Sequence, residues 1–233
     1  MARGQFKYQC DEAFFEVINT EEKAYWLGFI LADGYINLNN GPRLEIGLKN
    51  TDEPHLKLFQ QHIQSNHPIR HRDYNNCQSS TLTIYNKKLV EGLIKHGITQ
   101  AKSLTALPYT DLPYELVRHY IRGILDGDGS VYCYKCTSKK RNTTQLCRGI
   151  RFYGTKAIID YIVKQLIASK ISKADGKCLY CTDYTSCKDI VYVAKYLYSD
   201  YTVALPRKVE VLRSILGSYK QKSQKELVNN VKL

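Results

Sequence analysis

Tyr25-Trp26-Leu27-Gly28-Phe29-Ile30-Leu31-Ala32-Asp33-Gly34 and Tyr120-Ile121-Arg122-Gly123-Ile124-Leu125-Asp126-Gly127-Asp128-Gly129 are two versions of one segment. Gly28, Asp33 and Gly34 recur as Gly123, Asp128 and Gly129, each 95 residues later. The likeness continues outward. Strand-like Leu44 to Thr51 is echoed by Ile150 to Thr155, and each is followed by an amphipathic helix pattern, over 52–64 and 156–169. A second strand-like run comes next, Ser80 to Tyr85 and Cys178 to Tyr184. Further helix patterns follow over 87–96 and 188–198, and each half closes on a lysine, Lys102 or Lys208. A repeat this long predicts one supersecondary plan written twice. Each half reads helix, two strands, helix, two strands, helix: an α+β protein of two pseudo-symmetric αββαββα subdomains. The expected boundaries are 1–103 and 114–216, joined by an ordered linker over 104–113 that carries Pro108 and Pro113. A basic tail covers 217–233, and the second half carries a polar insertion near 136–147, read as a solvated hairpin tip.

The motif helices explain why the repeat matters. Thr20 is a good N-cap with Glu21 and Glu22 in the first turn, and the second helix is expected to begin near Pro113. Both run to a glycine, Gly34 or Gly129, where a left-handed C-cap is easiest. Small residues four apart, Gly28 with Ala32 and Gly123 with Gly127, let two helix backbones come close. If the halves pack on these faces, Asp33 and Asp128 emerge side by side. Two carboxylates there repel each other, and each sits at the negative end of a helix. A divalent cation relieves both strains. Aspartates with water ligands suit Mg²⁺ or the similar Mn²⁺, and carboxylate-held metals serve phosphodiester hydrolysis.

Totals narrow the partners. The 233 residues carry 34 Lys and Arg against 22 Asp and Glu, a net charge of +12. Such a surplus attracts a polyanion, with nucleic acid ahead of an anionic membrane surface. Hydrophobic residues are 43% of the chain, enough for a core. No apolar run approaches the roughly 18 residues that span a bilayer, and residues 1–10 lack a signal-peptide core. A soluble, intracellular protein is expected, with no membrane partner. Eight cysteines include the C-x-x-C pairs Cys133/Cys136 and Cys178/Cys181. Structural zinc is not expected, because both pairs sit in strand-like stretches where i and i+3 point to opposite faces.

The two motif copies resemble the LAGLIDADG motif of homing endonucleases, and the surrounding pattern is similar to that family over about residues 15–216. The resemblance implies both sheets forming a saddle over double-stranded DNA. It implies a metal-dependent endonuclease that cuts a long, non-palindromic target as a monomer. By the same resemblance, Asp33 and Asp128 match the metal-binding acids, and Lys102 and Lys208 match basic residues near the scissile phosphates. Leu31 stands where the motif has its first Asp, whereas Asp126 keeps it. Two rivals share the fold: an RNA-binding intron maturase, with host intron RNA as partner, and a DNA-binding regulator that does not cut. Retention of Asp33 and Asp128 favours cleavage.

A two-stranded ribbon fits the major groove, where base edges are distinguishable. Alternation places Leu44, Ile46 and Leu48 inside, and Arg43, Glu45 and Lys49 outside. In the second half Ile150 and Phe152 are read as buried, with Arg148 and Arg151 outward. The remaining candidate DNA contacts are Tyr35, Asn37, Asn39, Arg70, Arg72, Tyr74, Gln78, Ser80, Thr81, Thr83, Tyr132, Tyr134 and Lys135.

Overall fold

The computed structural model describes residues 8–39, 41–74, 77–138, 142–166, 171–174, 179–219 and 228. The Thr20 hydroxyl accepts from Lys23 N (3.4 Å) and starts α1 (Glu21–Asp33). The first half continues with β1 (Gly34–Asn37), β2 (Arg43–Lys49), a 3-10 turn (Asn50–Asp52), α2 (Glu53–His62), β3 (Ile69–Tyr74), β4 (Cys77–Tyr85) and α3 (Lys87–Lys95). A second 3-10 turn, Lys102–Leu104, leads toward α4 (Tyr114–Gly127). Then come β5 (Ser130–Ser138), β6 (Thr143–Gly154), α5 (Lys156–Leu166), β7 (Ile171–Ala174), β8 (Leu179–Tyr184) and α6 (Cys187–Tyr198). A further helix, α7 (Pro206–Gly217), comes last and carries Lys208. The expected strand start at Cys178, the end of the 156–169 helix and most of the 217–233 tail lie outside the described residues.

Each half builds a four-stranded antiparallel sheet, in the orders β1-β2-β4-β3 and β5-β6-β8-β7. Alternation sorts the faces as expected: Leu44, Ile46, Leu82 and Ile84 are buried under the first sheet, and Ile150 and Phe152 under the second. No helix among the described residues is long and apolar enough to cross a membrane.

The centre of the molecule is the crossing of α1 and α4. α1 is buried from Ala24 through Leu31, on every side rather than along one stripe. A helix wrapped by protein all round has no need of a polar face. The small residues are required at the crossing. A Cβ on Gly28 would lie 2.0 Å from Tyr120 O, and one on Gly123 would lie 2.1 Å from Tyr25 O. The backbones therefore touch, and van der Waals contact replaces side-chain interdigitation. Arg122, fully buried on α4, fixes the crossing from the side. It donates to Glu21 Oε1 (2.6 Å), Val203 O (2.9 Å) and Leu197 O (2.7 Å), so its charge is paired and its donors are used.

The motif glycines do a different job from the one expected. Gly34 has φ −78° and ψ 147°, extended rather than left-handed. Gly129 is also outside the positive-φ glycines, which among the described residues are Gly41 and Gly97. Glycine is needed there for space. A Cβ would lie 2.7 Å from Ile30 O at Gly34 and 2.6 Å from Leu125 O at Gly129. In the first half the chain passes from helix directly into strand at Gly34, and in the second only Asp128 and Gly129 intervene, so each glycine grazes the last helical turn.

Candidate active site

Asp33 is the last residue of α1, and Asp128 caps α4. The crossing brings both carboxylates to the same end of the helix pair, between the two sheets. Burial raises the Asp33 carboxyl to about 6, and the charge of Asp128 adds to the rise against the pull of Lys208, Lys102 and Arg207. Burial also raises Asp128, opposed by Lys102 and Lys208. Both carboxylates are thus held where their negative charge is unfavourable. The donor set fits a hard divalent cation: two carboxylates near enough for each to feel the other's charge. Among the described residues no group of three or more His, Cys, Asp or Glu comes together. Such a cation would keep waters or phosphate oxygens on its other positions, as Mg²⁺ does.

The raised Asp33 carboxyl predicts a pH effect on the metal-free protein. The folded state holds this proton more tightly than the unfolded chain does. The resulting stability is fully present below the unfolded value of 3.8 and is lost as pH rises through about 6. In EDTA, Asp33→Asn is therefore expected to stabilise the protein at pH 7–8 by about 1–3 kcal/mol, and to change little below pH 4. Urea denaturation at both pH values checks this, and equal or lower stability of the Asn variant at pH 8 would count against it.

The two lysines approach the acids differently. Lys102, in its 3-10 turn, is buried and donates to Ala32 O (3.1 Å), one residue before Asp33. Lys208 lies in the first turn of α7, with Leu125 O (2.6 Å), Asp126 O (2.7 Å), Gly129 O (2.7 Å) and Gly127 O (3.3 Å) around its Nζ. It fills the C-terminal end of α4, where carbonyls lack helical partners. Burial lowers the Lys208 ammonium to about 8, and the neighbouring carboxylates Asp126, Asp33 and Asp128 oppose this. Burial lowers Lys102 too.

Around this pair the halves differ. Asp126 is fully buried and accepts from Tyr25 OH (2.9 Å), Tyr198 OH (2.8 Å) and Leu205 N (2.7 Å). It thereby ties α4 to α1, α6 and the segment entering α7. Its counterpart Leu31 instead helps line a cavity of about 270 Å³ that also touches Lys102, Asp128 and Tyr153. Arg207 crosses between the halves to buried Asp52 (2.7 Å). Sequence reading missed Arg207, Tyr25 and Tyr198; only the adjacency of Arg207 to Lys208 hinted at it.

Register places the candidate DNA contacts. On the face away from the helices, Tyr35 stands opposite Glu45, Asn37 opposite Arg43, Thr83 opposite Glu45 and Arg70 opposite Thr81. Arg72 and Lys49 each stand opposite Ser79 on that face. Asn39 joins this set through the β1–β2 turn, where Asn39 N donates to Asn37 Oδ1 (2.8 Å). Tyr132, Tyr134 and Arg151 occupy the same face of the second sheet; the side chain of Tyr74 lies outside the described residues. Four candidates depart. Ser80 is in register with the buried face of β4, and its hydroxyl meets Asn50 Oδ1 (2.8 Å) and Glu53 Oε2 (2.9 Å). Gln78, two residues earlier, shares that parity. Arg148 shares the parity of Ile150 and Phe152. It donates to Ser218 Oγ (2.7 Å) and stacks 4.2 Å from the Tyr219 ring, covering the end of α7. Lys135 pairs with Leu146 on the helix-side parity of β5. Side chains alternate strictly along a strand, so Ser80 and Arg148 turn toward the helices, whereas Gln78 and Lys135 share that parity but are exposed.

Residues 20–96 match the LAGLIDADG-like domain. That match covers the first motif helix and the first sheet. The chain's fold as a whole is that of solved LAGLIDADG endonucleases. The meganuclease I-AabMI, solved bound to uncleaved DNA, superposes with a TM-score of 0.61 at 10% identity, over 89% of this chain and 98% of its own. I-LtrWI, bound to target DNA, gives 0.60 at 12% identity over 91% and 99%. I-GzeII, in complex with its DNA target, gives 0.59 at 14% identity over 93% and 99%. No curated protein matches the sequence.

Proposed function

We propose that this chain is a LAGLIDADG-type, site-specific, metal-dependent DNA endonuclease that acts as one chain per duplex. The observation that carries the reading is the pairing of Asp33 and Asp128 at the ends of two helices in backbone contact, between two sheets with outward polar faces. The net charge of +12 supplies the non-specific attraction to phosphate. The similar solved structures that carry DNA are consistent with it. Both acids are present, which favours cutting over binding alone.

In this reading the duplex lies across both sheets, and the scissile phosphates meet the acids. Asp33 and Asp128 would hold a divalent cation, Mg²⁺ or Mn²⁺, which supplies water activation and charge stabilisation at the leaving oxygen. The chain's own groups position the rest. Lys102 spends one of its three N–H donors on Ala32 O and keeps two for a phosphate or the attacking water. Lys208, with four carbonyls in reach, holds the end of α4 and so the position of Asp128. The test is cleavage of a duplex recovered by selection from a randomised pool. Both strands should be cut in Mg²⁺ and neither in EDTA; metal-independent cutting, or none in either condition, would overturn the proposal.

The lysines give a sharper expectation. Lys102→Met should slow single-turnover cleavage about a hundredfold or more while leaving affinity unchanged, as loss of electrostatic stabilisation does. Lys208→Met should slow cleavage and also lower the melting temperature, because α4 loses its terminal donors. A plain phosphate contact would instead weaken binding to all sequences and reduce the salt slope by about one. That pattern in Lys102→Met, with normal cutting of bound DNA, would remove Lys102 from the chemistry.

A further inference from the structure

The centre of the second sheet carries a cluster that the cleavage site does not use. Arg151 on β6 stands between Ser130 on β5 and Asp183 on β8. Its Nε donates to Asp183 Oδ2 (2.7 Å), and its Nη2 forms an ion pair with the same oxygen. Its Nη1 donates to Tyr153 OH (3.1 Å), and its guanidinium lies over the Tyr132 and Tyr153 rings, 5.7 and 5.9 Å from their centroids. Tyr132 OH also donates to Asp183 Oδ1 (3.4 Å). Five groups of contacts thus fix one arginine on the outward face of a sheet.

An ion pair with side chains 36% and 30% exposed adds little stability on its own. A carboxylate on a face meant for phosphates is also unfavourable unless it serves an arginine. The donor count says what it serves. A guanidinium has five N–H groups. Asp183 takes one from Nε and one from Nη2, and Tyr153 takes one from Nη1. Two remain, one on each terminal nitrogen, a matched pair of donors on an arginine already ordered before binding. Guanine offers the complementary pair of acceptors, O6 and N7, in the major groove. Adenine and cytosine present an amino donor there, which would leave the arginine donors opposed.

We propose that Arg151 reads a guanine in the half-site under the second sheet, and that Asp183 is its positioning residue. The proposal rests on the DNA-binding reading above. Position by position, Glu45 and Thr83 take these places in the first sheet, since Glu45 stands opposite Tyr35 and Thr83. An acid there offers acceptors rather than donors, so the guanine preference belongs to one half-site only, and the other half-site is an internal control.

The test is selection of a randomised duplex pool on the full-length protein in EDTA, followed by sequencing of the bound fraction. The wild-type pool should hold a guanine at one position of one half-site. Arg151→Gln should erase that preference and leave the other positions unchanged. Asp183→Ala should weaken it roughly tenfold to a hundredfold, the range of one bidentate contact, while affinity for random duplex rises as the acid leaves. Arg151→Lys keeps the charge pair and thus the fold, but lacks the fork, and should lose the guanine as well. A mere staple between β6 and β8 would change melting temperature without changing any base preference. Identical base preferences in wild type, Asp183→Ala and Arg151→Lys would overturn the proposal. A wild-type pool with no enriched sequence would overturn the DNA-binding reading itself.

Discussion

Asp33→Asn and Asp128→Asn are each expected to leave a folded protein that binds its duplex and does not cut it. The substitution is nearly isosteric and removes one negative charge from a pair already destabilised by burial. Folding should not suffer. What is lost is half the charge that would hold a divalent cation, together with the preorganised field at the phosphate. Electrostatic stabilisation of that kind is commonly worth a hundred- to thousandfold per group. Here each acid serves one shared centre, so either substitution should reduce double-strand cleavage by about a thousandfold or more. The measurement is single-turnover cleavage at saturating Mg²⁺, alongside binding in EDTA at the same salt concentration. A variant cutting at wild-type rate would mean that the acids are only helix ends. Equal loss of binding and cutting would mean that they organise the saddle rather than the chemistry.

The second large effect concerns the crossing itself. Gly123→Val should destabilise the protein by about 3–5 kcal/mol, in the range of severe overpacking, and lower its melting temperature by roughly 10 °C or more. The new Cβ would stand 2.1 Å from Tyr25 O and 2.7 Å from Phe29 N, both backbone atoms. No rotamer change relieves a backbone clash, so α1 and α4 must separate. Separation also pulls Asp33 from Asp128 and strains the Arg122–Glu21 pair, so cleavage should fall even where the variant stays folded. Gly217→Ala is the control: nothing lies within 4 Å of its added Cβ, and it ends a helix in which alanine is favoured. If Gly123→Val melts within 3 °C of wild type, the backbones do not touch as described.

Much of the plan was legible in the chain because periodicity is a local property. The fixed offset between Gly28/Asp33/Gly34 and Gly123/Asp128/Gly129 announced the duplication, and the four-residue spacing of small residues announced a close crossing. Alternation of Leu44, Ile46 and Leu48 announced the buried face of β2. Parity also misled where it was not followed through. Arg148 and Ser80 are polar, yet they share the parity of Ile150 and Leu82 and turn toward the helices. Gly34 and Gly129 were legible as glycines but not as to cause, since a glycine that avoids a clash looks the same in sequence as one that adopts positive φ.

The sequence by itself thus determined the two-fold plan, the seam between the halves and the two acids at its end, because each follows from spacings of 2, about 3.6 and 95 along one chain. Only the tertiary structure decided which partners those groups meet. Lys208 finds three carbonyls of α4 and that of Gly129, Asp126 finds Tyr25 and Tyr198, and Arg151 finds Asp183 on the neighbouring strand. Those pairings join residues 32 to 101 positions apart. No local pattern encodes them, because hydrogen bonds and charges are set by distance in space, and that distance exists only once the sheets and helices have packed.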